Sequence, residues 1–154
     1  MEPEAAAGSL PAGRADRPCA RQAARRTIIS VSTALACLAA SLVALWGVAH
    51  AVPTRTVIAG FGAISADNRR VITQEWLAEA LTMWFLAAVV LIVTAVAGAG
   101  TPVAEAIYLA CAVMLGALAI LTALTGARTP VIWFKICPAL LGSAAGLLLA
   151  AALL

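Results

Sequence analysis

Charge is scarce in this chain: 11% of its 154 residues are Asp, Glu, Lys or Arg, a single one of them is a lysine, and aromatic residues make up 5%. A soluble domain of this length needs a polar shell that such a composition cannot supply. Histidine occurs once, at His50, which excludes a bis-histidine haem within one chain and leaves too few ligands for a protein metal site. The four cysteines, Cys19, Cys37, Cys111 and Cys137, form no C-x-x-C pair. They read as small apolar residues rather than as a thiol oxidoreductase motif. There is no phosphate-binding loop and no Ser/His/Asp arrangement. Gly60-Phe61-Gly62 lacks the third glycine and the strand-to-helix setting of a nucleotide fingerprint. No cofactor is expected.

What the chain has instead is apolar length. Hydrophobic residues make up 64% and mean hydropathy is +1.03. Charge is absent from Thr27 to Ala49, Ala80 to Ala104, Ala106 to Ala127 and Ile136 to Leu154, each near the roughly 20 residues that cross a bilayer core. Neither the first nor the third run carries an acid near its middle, so an intramembrane coupling carboxylate is excluded there. The spacing predicts four spans at about 27–51, 79–99, 102–125 and 130–153, an outer loop at 52–66 and a polar helical approach at 67–78. The fold class is an all-α, integral membrane four-helix bundle running up-down-up-down, with room for a small strand or hairpin in the outer loop.

Residues 1–26 have no apolar period and are rich in Ala, Pro, Gly and Arg, which reads as a disordered cytoplasmic tail. Its arginines are too few and too far from aromatics for nucleic-acid binding, so nucleic acid is not an expected partner; anionic lipid is within their reach. Five arginines before the first span place the N-terminus, and with four spans the C-terminus, on the inner side of a cell membrane. Ala49-His50-Ala51 fits a signal-peptidase site, but the apolar run before it is longer than an ordinary leader's.

The stretch Ile64–Phe85 passes from a charged approach into a span. Asp67 is the expected N-cap. Glu75 and Glu79 share one helix face, where like charges repel unless a cation lies between them or one is protonated. Gly98-Ala99-Gly100 followed by Thr101-Pro102 reads as a tight helical hairpin, and Thr129-Pro130 as the start of the fourth span. Within that span Pro138 predicts a kink beside Lys135, and Gly142 and Gly146 form a GxxxG that packs inside the bundle or against a second copy. On the first span Ala36, Ala40 and Ala44, spaced by four, predict another close helix approach.

Helical rise of about 1.5 Å per residue puts Glu79 roughly 27 Å and Lys135 roughly 29 Å from the inner ends of their spans. His50 closes the first span on the same side, and Trp46, Trp76, Trp84 and Trp133 fall in the same half. The expected ligand or ion cluster is therefore His50, Glu75, Glu79 and Lys135, ringed by indoles. In one reading the tryptophans form an interfacial belt and Lys135 snorkels or pairs with Glu79. In the other, Glu79 and Lys135 line a cavity for a small ligand, ion or lipid head. The leading function is a non-catalytic membrane component or accessory subunit, in contact with the lipid bilayer and with a membrane protein partner or a second copy. The alternative is a small transporter or ligand-binding membrane protein that uses the Glu/Lys cluster.

Overall fold

The computed structural model describes residues 16–154. Five α-helices follow one another: α1 (Asp16–Ala51), α2 (Thr54–Ala59), α3 (Ala66–Ala97), α4 (Pro102–Leu124) and α5 (Ile132–Leu153), with a 3-10 turn at Gly126–Arg128 before α5. Four of them, α1, α3, α4 and α5, are long and apolar enough to cross a membrane. They close a ring in which α1 meets α3 and α5, while α4 meets α5 and, more sparingly, α3. Short connections make consecutive long helices antiparallel, so the fold is the all-α, up-down-up-down bundle that the apolar runs predict.

One continuous core runs along the ring axis. Tyr108, Met83, Leu115, Leu141, Leu148, Val43 and Val90 are fully enclosed in it. Ala36, Ala39 and Ala40 are buried and Ala44 half-buried, so the small-residue edge of α1 turns inward and lets α3 and α5 approach. The Tyr108 hydroxyl lies 2.6 Å from Thr94 Oγ1, which itself donates to the Val90 carbonyl; the core's one phenol is thus hydrogen-bonded, as burial demands. Only 22% to 33% of each span's most apolar stretch is buried within the bundle. The rest, with Leu45, Leu81, Phe85, Val96 and Val113 among it, faces outward, where lipid is the natural cover.

Gly98 ends α3 at φ +83°, ψ +146°, a conformation essentially confined to glycine. Three residues later the Thr101 hydroxyl accepts from the Ala104 N–H and Pro102 opens α4, as the sequence predicts for this hairpin.

Four local expectations are corrected. The outer loop holds no strand or hairpin: it contains α2, whose Thr54 hydroxyl donates to the Ala51 carbonyl and whose Ile58 is buried. A two-stranded element would leave edges unpaired beside the membrane, whereas here the amides of Val57, Gly60, Phe61 and Gly62 bond to carbonyls three or four residues back. The N-cap of α3 is Ser65, whose hydroxyl accepts from the Asn68 N–H at 3.1 Å; Asp67 already lies in the first turn and receives Arg70 Nη1 at 3.0 Å. Residues 16–26 are helical, because Ala, Arg and Gln are good helix formers and the span gives them a helix to extend. The remainder of the expected tail, 1–15, lies outside the described residues. Finally, Thr129 closes the 3-10 turn by donating to the Gly126 carbonyl, and α5 starts beyond Pro130 at Ile132, continuing through Pro138 to Leu153.

Candidate functional site

At the end of the bundle opposite the Gly98 hairpin, the last turn of α1 faces the first buried turns of α3. His50 is 6% exposed. Its Nε2 lies 3.1 Å from Glu79 Oε2, and a carboxylate accepts where an imidazole N–H donates. Trp76, three residues before Glu79 and so on the same face of α3, stacks on the imidazole with centroids 4.1 Å apart and planes 16° apart. The Trp76 indole N–H donates to the His50 carbonyl at 2.7 Å, taking up one of the carbonyls that a helix C-terminus leaves unsatisfied. Phe134 of α5 meets Trp76 edge-on at 5.7 Å. One indole therefore fixes the ring plane, the backbone and the neighbouring helix around a single histidine.

This arrangement borders a cavity of about 710 Å³ between α1, α2 and α5. Its walls include the aromatic side chains of Trp46, Trp76, Trp133, Phe134 and Phe61, and Pro53, Thr56, Val57 and Gly60 of the α2 segment cover one side. Trp46 Nε1 donates to the Cys137 sulfur at 3.3 Å, which ties α1 to α5 at the cavity wall. His50 is its one imidazole, and among the described residues no Asp, Glu, Lys or Arg lines it. The volume falls within the range of small-molecule sites, which are largely apolar with a few placed polar groups.

Glu79 reaches His50 from outside the cavity. Its side chain is 26% exposed, and it borders a second, shallower groove of about 480 Å³ between α3 and α4, together with Glu75, Met114 and Thr122. That groove follows from the sparing contact between α3 and α4. Trp76 borders both spaces.

The four residues of the expected cluster are not all brought together. His50 and Glu79 pair; Glu75 and Lys135 are exposed, and among the described residues neither has an opposite charge within 4 Å. Lys135 sits at the expected level, next to Phe134, but one residue along a helix is a rotation of about 100°, and it is Phe134 that turns inward. The indole ring is present in part: Trp46, Trp76 and Trp133 line the cavity, while Trp84 lies across α1 and donates to the Ala44 carbonyl. The contribution of α2 is what the sequence reading missed. The signal for it was the spacing of Pro53, Thr56, Val57 and Gly60, an i, i+3, i+4, i+7 helix face hidden behind β-branched residues.

The helix-packing residues divide. Ala36 and Ala40 are buried, whereas Gly142 and Gly146 are exposed, and a Cβ added to either glycine would meet nothing within 4 Å. The GxxxG therefore does not hold the bundle together. No protein-family model, no curated protein and no solved structure matches this chain.

Proposed function

We propose that this membrane protein is a non-catalytic binding protein that takes an apolar small molecule or lipid into the aromatic cavity at the His50 end. The observation that carries this reading is the cavity itself, three indoles and two phenyl rings around one buried imidazole. The cavity is half-open, so a ligand can enter without unpacking the bundle, and aromatic walls are suited to flat or branched apolar ligands. Relative to the expectation from sequence, the binding group is His50 oriented by Glu79, with Lys135 outside.

Native mass spectrometry of protein extracted gently from its own membrane tests this. The expected spectrum carries a discrete small mass that disappears in Thr56→Trp, a substitution that fills the cavity from exposed α2 and leaves the core untouched. A spectrum without any such mass, unchanged in the variant, counts against the reading. The outward position of Gly142 and Gly146 favours a second reading, an accessory component that packs against a partner or a second copy; stoichiometric polypeptide in the same spectrum is its signature.

A further inference from the structure

His50 has two ring nitrogens and the fold accounts for one. Nε2 is taken by Glu79, and one ring face is covered by Trp76. Nδ1 has no hydrogen-bond partner among the described residues, and no partnerless side-chain nitrogen or oxygen there is sealed from the surroundings. His50 borders the aromatic cavity. A side chain more than nine-tenths buried thus keeps one polar atom free beside an apolar space. Because that atom is not sealed, its partner comes from whatever occupies the adjoining space.

A carboxylate has only acceptor sites, so a neutral imidazole facing Glu79 carries its proton on Nε2 and presents a lone pair at Nδ1. Among the described residues no carboxylate lines the cavity that would draw a cation, and no guanidinium or ammonium that would draw an anion. We infer that the cavity selects a neutral, flat apolar molecule bearing a hydroxyl or N–H, which donates to His50 Nδ1 while Glu79 holds the imidazole in the accepting tautomer. The flat shape follows from the walls, since indole and phenyl faces stack best on another ring. The donor follows from the free ring nitrogen; the Thr56 hydroxyl, which also borders the cavity, can donate as well as accept and so sets no such requirement. Apolar contact supplies most of the affinity; the hydrogen bond decides which apolar molecules stay.

This inference rests on the cavity reading above, and its test separates the two. The full chain, labelled with ¹⁵N-histidine and held in nanodiscs, is titrated with 1-naphthol and with 1-methoxynaphthalene, which has the same ring system but no donor. Because the chain has one histidine, every imidazole signal belongs to His50. The expected ligand-free spectrum shows Nε2 protonated and Nδ1 bare. 1-Naphthol is expected to shift Nδ1 and to bind roughly fivefold more tightly than the ether, the preference that one net hydrogen bond supplies. In Glu79→Gln, whose amide either accepts from or donates to the ring, the two tautomers mix and the preference shrinks. Equal binding of both probes with no movement of Nδ1 overturns the donor assignment and leaves the cavity reading standing. A proton already on Nδ1 in the ligand-free protein does the same. Binding of neither probe overturns both. Dioleoylglycerol producing the same Nδ1 shift as 1-naphthol would overturn the ring requirement and assign the hydroxyl to a lipid.

Discussion

The His50 site depends on a few side chains that each do more than one thing, and one turn before it Gly47 makes room for the one indole that lies outside the cavity. A Cβ on Gly47 would lie 2.7 Å from Trp84 Nε1 and 2.8 Å from Cδ1, with the Ala80 carbonyl at 3.3 Å. The missing side chain is what lets the Trp84 indole lie against α1 and donate to the Ala44 carbonyl. Gly47→Ala is expected to push that indole outward, break its hydrogen bond and destabilise the bundle by about 1–3 kcal/mol, the usual cost of overpacking. Thermal unfolding in detergent, with tryptophan emission followed in a variant that keeps only Trp84, reads both effects. An unchanged emission and melting temperature would mean that the close approach has no role.

At the scale of elements, helix ends are where sequence and structure part company most instructively. Ser65→Ala removes the hydroxyl that accepts from Asn68 N–H and is expected to cost about 1 kcal/mol, as N-cap losses do. Asp67→Ala loses an exposed pair with Arg70, which contributes little, and a first-turn charge favoured by the helix dipole, and is expected to cost less than Ser65→Ala. Paired melts of the two variants decide between the two caps; a larger loss at Asp67 would restore the one read from sequence. Depth along each helix was legible, because rise per residue is fixed and apolar runs mark the spans: His50, Glu79, Trp76 and Phe134 do meet at one level. Rotation about each axis was not. Leu, Ala and Val occupy both the inner and outer faces of a helix surrounded by lipid, so the apolar pattern that orients a soluble helix is erased, and Lys135 could not be told from Phe134 by periodicity. For α2 the reverse failure applied: the helix face at Pro53, Thr56, Val57 and Gly60 runs for only two turns, and β-branched composition pointed to a strand.

For the whole molecule, the bundle is held by a core that α5 enters with Cys137, Leu141, Ala144, Leu148 and Ala151, one stripe at helical spacing. Gly142 and Gly146 lie off that stripe. Gly142→Leu combined with Gly146→Leu is therefore expected to leave the monomer's fold and melting temperature within about 0.5 kcal/mol of the parent, as surface changes do. If a second copy packs on this face, the same double variant loses its dimer on cross-linking in the native membrane; a dimer that persists would remove the glycine face from any role in association.

Trp76 borders the aromatic cavity on one side and the α3–α4 groove on the other, so the two spaces share a party wall one side chain thick. No substitution at this position alters a single room. Trimming it enlarges both and unstacks His50; a bulkier neighbour crowds both. Ligand effects seen in Trp76 variants therefore have no address. The rooms become separately testable only through residues that border one of them, Thr56 for the cavity and Thr125 for the groove.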